Sequence, residues 1–371
     1  MTCKKATVNF YSTVAFLISK CILKGFIPSH ISPKIALSWL ETSTTIMKNT
    51  YNAIDCGCRF IPKGGRRVSS LLSGTKIAVL GGDDRELILI SELVKRGAIL
   101  KVAGFPSSKL CDGASAVNSV EDACREAKVV ILPLPGTSLE GIIRAVYAEG
   151  ELKLSEKAID VLAENALVII GSARPFLREW VGRYKLRLLE IAEMNDIAIM
   201  NSIPTAEGAI QIAMEESKIT IHGSRSLIVG FGRIAITLAR TLKALGSDVT
   251  VVARDEGQMA RAYEMGCKRA GYSELAEAIR HSDFVFNTVP SMVINRNVLK
   301  KAQSEALIID LATQPGGTDF EAANEYGFKA ILAPGLPGKV APISAGKILA
   351  EVVPRLIIKE LAKMGQNLVL E

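Results

Sequence analysis

Between Ser226 and Asp255 the chain reads SLIVGFGRIAITLARTLKALGSDVTVVARD, the stretch that most narrows its fold. Leu227 to Val229 is an apolar run suited to a buried parallel strand. Gly230-Phe231-Gly232-Arg233-Ile234-Ala235 then reads G-x-G-x-x-A, and a helical pattern follows to Leu245 and stops at Gly246. A second strand pattern, Asp248 to Ala253, comes next. In a dinucleotide-binding βαβ unit the first Gly makes the tight turn and the second lets the backbone approach the pyrophosphate. The third small residue lets the helix pack close on its strand. The six-residue motif alone is weak, but a strand before it and a capped helix after it supply the context it needs. We therefore expect Gly230, Gly232, Arg233, Ile234 and Ala235 to meet a nicotinamide dinucleotide.

The end of the second strand chooses between cofactors. An NAD enzyme presents Asp or Glu there to the adenosine ribose, and that carboxylate would repel a 2′-phosphate. This chain presents Ala253 and Arg254, and an arginine holds a phosphate by charge-assisted, bidentate hydrogen bonds. The expectation is NADP, with NAD left open by Asp255 next door.

Strand and helix patterns alternate along the rest of the body. KIAVLGG, Ala98 to Phe105, Val129 to Leu132, Ala166 to Ile170 and Lys185 to Leu189 read as strands of a first domain. Asp283 to Phe286, Leu307 to Asp310 and Phe328 to Leu332 continue the second. Such alternation implies an α/β fold with two doubly wound parallel-sheet, Rossmann-like domains and a cleft between them. The first domain, 74–204, opens with GGDDRE and lacks the phosphate fingerprint, so we read it as a flavodoxin-like substrate domain. Residues 205–222 read as a connecting helix capped by Thr205, and 223–342 as the NAD(P)-binding domain. Residues 343–371 read as a final helix lying back across the first domain, kinked or broken at Pro354.

Charge is confined to one end. Of 371 residues, 45 are Lys or Arg and 38 are Asp or Glu, but ten of the bases and only two of the acids lie in residues 1–73. The remainder is nearly neutral, which argues against a nucleic-acid partner. The apolar stretch STVAFLISKCILKGF is too short to span a bilayer and is interrupted by Lys20. We expect residues 1–73 to be a poorly ordered extension, or upstream sequence read from a wrong start, and no membrane partner. Seven scattered cysteines and three histidines form no metal-ligand spacing, so no metal is expected.

Blocks along the body carry a family resemblance. NSIPTAEGAI (201–210), TIHGS (220–224), IIDLATQPGGTDF (308–320) and APGLPGKVAP (333–342) resemble the A subunit of dipicolinate synthase. So does ILPLPGT (131–137) after the opening IAVLGGDDRE, and the likeness runs from about Leu72 to the C-terminus. The family opening has Gln where this chain has Glu86, so a contact made by that side chain does not carry over. The resemblance implies a cytoplasmic enzyme of the sporulating mother cell. It implies NAD(P)-linked oxidation at a CH–CH bond, aromatising a dihydrodipicolinate-type substrate. The flavoprotein-like B subunit of dipicolinate synthase is its implied partner, and a homo-oligomer is left open.

Aromatisation requires a hydride acceptor, a base for one ring proton and a site for two carboxylates. For the base, His222 at the hinge competes with Glu207 and Asp319, either of which also suits a helix N-terminus. For the dicarboxylate, Gly- and Pro-rich loops leave backbone N–H groups free to meet anions. They offer Thr137, Gly316, Gly317, Gly335 and Lys339, and Ser202 and Thr205 add hydroxyl donors. Thr288 and Pro290 are expected at the nicotinamide ribose, and Leu311 and Ala312 beside the nicotinamide. Rival readings are an alanine-dehydrogenase-like or 2-hydroxyacid-type oxidoreductase and a nucleotide-sensing regulatory subunit. The lack of a His after Asp310 weighs against the hydroxyacid type.

Overall fold

The computed structural model describes residues 71–367, with side chains to Lys363; all but the last three residues of the expected extension lie outside them. The first domain carries β1 (Lys76–Leu80), α1 (Asp84–Lys95), β2 (Ile99–Ala103), β3 (Ala114–Val117), α2 (Val120–Cys124) and β4 (Val129–Ile131). A two-stranded hairpin follows, β5 (Ile142–Ile143) and β6 (Leu152–Lys153). Then come α3 (Glu156–Asp160), β7 (Leu167–Ile170), α4 (Pro175–Arg183) and β8 (Arg187–Glu190). The six long-range strands lie parallel in the order β3-β2-β1-β4-β7-β8. That is the six-stranded dinucleotide-fold order rather than the flavodoxin order 2-1-3-4-5, so the flavodoxin reading is corrected.

The second domain repeats the plan. It consists of β9 (Arg225–Val229), α6 (Arg233–Ala244), β10 (Asp248–Val252), α7 (Glu256–Glu264), β11 (Lys268–Ala270), α8 (Leu275–Ala278) and β12 (Phe284–Asn287). α9 (Arg296–Leu299), β13 (Leu307–Asp310), α10 (Phe320–Glu325), β14 (Lys329–Leu332) and α11 (Leu336–Val340) complete it. Its parallel order, β11-β10-β9-β12-β13-β14, is the same. Each sheet is covered on both faces. The strands are accordingly apolar throughout, as in Leu227 to Val229 and Phe284 to Phe286, all of them buried.

Two helices tie the halves together. α5 (Asn195–Glu216) starts ten residues before Thr205. Its Ile197 lies in the first domain's core, and Ala206, Ala209, Ile210 and Ala213 lie in the second's. Thr205 is therefore helix interior, not a cap: its hydroxyl donates to the Asn201 carbonyl at 2.7 Å. α12 (Pro342–Asn367) is one helix that continues through Pro354. Val352, Val353, Leu356 and Ile357 are buried around that proline in the first domain's core. Burying four such side chains, at about 1.5–3 kcal/mol each, outweighs the roughly 3 kcal/mol cost of an internal proline.

Candidate active site

The nucleotide turn has the form the motif requires. Gly230 has φ +91°, and a Cβ there would lie 2.5 Å from Thr288 Oγ1 and 2.8 Å from Val289 Cγ2. Thr288 is pinned in place, its N–H (3.0 Å) and hydroxyl (2.9 Å) both donating to the Val229 carbonyl. Gly232 differs: it caps α6 without a side-chain bond, and a Cβ there would find no atom within 4 Å. An open approach to the unpaired first-turn N–H groups is what a pyrophosphate needs. Ala235 is fully buried, which lets α6 sit close to the sheet. The residues therefore fit a dinucleotide, whose chemistry when bound is to accept a hydride.

Arg233 has its guanidinium engaged by the end of the first domain. It donates to the Glu193 carbonyl (2.9 Å), to Asn195 Oδ1 (3.2 Å) and to the Glu193 carboxylate, on the segment leading into α5. Arg254 is exposed and makes no hydrogen bond or ion pair among the described residues. Its charge is felt by Tyr272, whose phenol burial pushes up and Arg254 pulls back. Asp255, the residue that kept NAD open, has its carboxylate engaged as the cap of α7, accepting from Gln258 N at 2.9 Å.

The ends of β12 and β13 are locked by one buried carboxylate. Asp310 Oδ2 accepts from Asn287 Nδ2 (2.9 Å), Gly317 N (2.9 Å) and Thr318 Oγ1 (2.7 Å), and Oδ1 from Ala312 N (3.0 Å). Leu311 and Ala312 are buried at this strand end, and Pro290 is exposed after β12. The Gly316 N–H goes to the Thr313 carbonyl at 2.8 Å. With the N–H groups of Gly316 and Gly317 both committed, neither meets a substrate anion, and that expectation is corrected.

Five more expectations are corrected. His222 is exposed beside Gly246, at the edge where β9 and β10 begin. Strands of five residues put that edge roughly 16 Å from the Gly230 turn, at about 3.3 Å per residue, so the structure does not bring His222 to the nucleotide turn. Asp319 caps α10 by accepting from Ala322 N at 2.9 Å. Glu207 is exposed on α5, in an apolar groove with Met214, Thr241 and Leu245 at the end of α6 remote from Gly232. Ser202 is fully buried between α5 and α6, bonded to Thr237 Oγ1 and to the Ile199 carbonyl, both at 2.6 Å. Thr205, bonded back to Asn201, is likewise no free donor.

Gly335, Lys339 and Thr137 retain free chemistry. Gly335 is left-handed (φ +69°) with open space at its missing side chain, and Lys339 is exposed on α11. Thr137 follows β4; it is 4% exposed, and its hydroxyl has no hydrogen-bond partner among the described residues.

Sequence reading missed what lies at the first domain's own turn. Gly81 (φ +64°) stands where Gly230 stands in the second domain, Gly82 (φ +119°) follows it, and Asp83 caps α1 where Gly232 caps α6. Here a strap, Gly141 to Ala148, runs over the strand ends. Gly82 N donates to the Arg144 carbonyl at 2.7 Å, and Val146 N returns a bond to Gly82 at 3.0 Å. A Cβ on Gly81 would come within 2.6 Å of Arg144 O and 2.8 Å of Ile143 Cγ2. The crevice that a dinucleotide would use is filled by the chain itself.

Beneath the strap lies a buried charge cluster. Arg85 donates to both oxygens of Asp83, at 2.8 and 2.9 Å, and Glu86 closes a capping box on the Asp83 N–H at 2.8 Å. Burial works against the Asp83 carboxylate, but the Arg85 hydrogen bonds and charge hold it below the usual range. Burial pushes Glu86 up to about 7 despite Arg85. α11 and α12 rest on this cluster: Cβ atoms at Gly338 and Gly346 would come within 2.9 Å of Arg85 Cζ and 3.0 Å of Arg85 O. The acids in DDRE look like a solvated helix start; Asp84 is exposed, but non-local packing buries Asp83 and Glu86. Among the described residues no group of three or more His, Cys, Asp or Glu is placed to hold a metal ion.

Comparisons with known proteins divide the chain at the same place. Residues 76–192 match the N-terminal domain of dipicolinate synthase A subunits, and 200–314 match the NAD-binding domain of D-isomer specific 2-hydroxyacid dehydrogenases. The dipicolinate synthase A subunit of Bacillus subtilis (strain 168) is 40% identical over 297 residues, 80% of this chain and all of that one. The crystal structure of the Bacillus subtilis A chain superposes with a TM-score of 0.74 at 40% identity, covering 79% of this chain and 98% of that one. The crystal structure of the Bacillus halodurans protein of the same kind gives 0.74 at 36% identity, covering 77% and 98%. An L-alanine dehydrogenase, at 15% identity and a TM-score of 0.53 (78% of this chain, 91% of that one), shares the two-domain fold alone.

Proposed function

The chain belongs to the family of dipicolinate synthase A subunits, and from that premise we propose that it oxidises a dihydrodipicolinate-type ring to dipicolinate during sporulation. Its second half is a dehydrogenase-type NAD-binding domain. One observation carries the redox reading: the open Gly232 turn faces an unblocked α6 N-terminus, while the equivalent turn of the first domain is strap-filled. One half is thus left for a dinucleotide and the other for substrate. In the reaction a hydride leaves one ring carbon for the nicotinamide and a proton leaves a neighbouring position, so ring and cofactor exchange two electrons.

The cofactor in this reading is NADP, with Arg254 on the 2′-phosphate, because Arg254 is uncommitted and the neighbouring carboxylate of Asp255 is held as a helix cap. Gly335 and Lys339 border the substrate from the nucleotide domain. The synthase's B subunit partners the chain, in the mother-cell cytoplasm. The test is turnover by purified chain, alone and with its cognate B subunit, on freshly generated dihydrodipicolinate. NADPH formation stoichiometric with dipicolinate supports the proposal. Nucleotide binding without turnover under either condition would instead make the chain a sensor regulating its partner.

A further inference from the structure

Two arginines, Arg144 within the strap and Arg174 at the start of α4, lack a full complement of partners among the described residues. Arg144 is fixed through its backbone, because its carbonyl accepts the Gly82 N–H at 2.7 Å. Its guanidinium is 47% exposed and among the described residues approaches only Asp83 Oδ2, at 3.9 Å, a carboxylate already gripped at both oxygens by Arg85. Arg174, exposed at the start of α4, gives its Nε–H to the Thr137 carbonyl at 3.0 Å. Among the described residues four of its five N–H groups remain without a partner, and it also feels the exposed carboxylate of Glu140. The two are neighbours through Thr137, which pairs as an antiparallel bridge with Ile143, the residue before Arg144. The Thr137 hydroxyl at that bridge is buried and has no partner among the described residues. An unpaired buried hydroxyl costs stability, and such a group in a native fold calls for a ligand or another compensating role.

All of this sits over the C-terminal ends of β1, β4 and β7, the edge where open α/β sheets bind ligands. Guanidinium groups match carboxylates fork to fork, which an ammonium does not. We propose that Arg144 and Arg174 are the two arms of a dicarboxylate clamp, one carboxylate to each, with the Thr137 hydroxyl donating between them. The inference rests on the dicarboxylate substrate of the preceding section and adds the residues that select it. The strap that excludes a second dinucleotide is then also the element that presents the clamp.

The test is calorimetric titration of the full chain, with NADP present, by pyridine-2,6-dicarboxylate. Arg144→Gln and Arg174→Gln should each weaken binding tenfold or more, with NADP affinity held within twofold. Arg144→Lys and Arg174→Lys, which keep the charge but lose the fork, should fall between. Thr137→Val should weaken binding while leaving Tm unchanged or raising it, since it removes an unsatisfied hydroxyl. Wild-type binding that all these variants retain would overturn the clamp and leave the dicarboxylate reading standing. No binding by the wild type with cofactor present would overturn that reading, and the clamp with it. Should the Gln variants also lose NADP, the Lys and Val variants decide: dicarboxylate affinity equal to wild type in them overturns the clamp.

Discussion

The two domains place a glycine, Gly81 or Gly230, directly after the first strand of the same strand order and use the turn it opens in opposite ways. At Gly230 and Gly232 the first glycine makes room for Thr288 and the second leaves its missing side chain facing open space. At Gly81 and Gly82 the space is occupied by the chain's own Arg144 backbone and by Glu86. Strand order builds a crevice in each sheet, because neighbouring connections leave β1 and β9 in opposite directions. Whether the crevice binds a nucleotide depends on what a later segment does with it. The first domain's strap comes about sixty residues after the turn it fills, so the turn's own sequence does not reveal it.

The sharpest way to break this comparison is to put a methyl into each turn. Gly81→Ala should destabilise the protein by about 2–5 kcal/mol, since it combines a left-handed backbone with a clash against a carbonyl that cannot rotate away. Urea denaturation measures it, and loss of soluble protein is the extreme form of the same result. A variant as stable as wild type would mean the strap does not fill the crevice.

Arg254→Ala reads the cofactor end of the open turn. NADP affinity should drop by about 1.5–3 kcal/mol, roughly 10- to 150-fold, with NAD almost unaffected. Equal losses for both cofactors would mean Arg254 supports the fold or stacks on the adenine. A further exchange, Ala253→Asp with Arg254→Ala, should turn preference toward NAD by adding repulsion to lost attraction.

The filled turn also carries a pH signature. Glu86 titrates near 7 in the folded chain, above the value of 4.5 expected when unfolded, so the folded state holds more protons between those pH values. Stability should therefore fall as pH rises from about 4.5 through 7 and level off above, by about 3 kcal/mol. Glu86→Gln keeps the capping acceptor and removes the titration, so its Tm profile should be flatter and higher at pH 8. Identical profiles would place the charge cluster in contact with water.

The smallest expected effects fall on residues singled out in sequence and relocated by the fold. His222→Ala should leave turnover within twofold, whereas a hundredfold loss would bring the far edge of the sheet into the chemistry. Much was legible without coordinates, and the reason is local. Buried parallel strands such as Leu227 to Val229 announce themselves by apolar runs, and the G-x-G-x-x-A turn is contiguous. The strands β3 and β11 escaped because ASAV is made of small residues and KRA is a charged edge. His222 could have been placed from topology alone, since a residue preceding a parallel strand stands at the edge away from the ligand. Ser202 and Asp319 could not, because whether a hydroxyl or carboxylate faces a cleft, a helix or its own cap depends on partners distant in sequence.

The central claim is that one crevice is open and the other closed, so the chain binds one dinucleotide, at Gly232. Gly232→Ala tests it most directly, because φ −87° accepts alanine and the added methyl meets no protein atom. Calorimetric titration with NADP should give one site per wild-type chain, and Gly232→Ala should lose tenfold or more in affinity at an unchanged Tm. Two sites per chain, or undiminished binding by Gly232→Ala, would contradict the account.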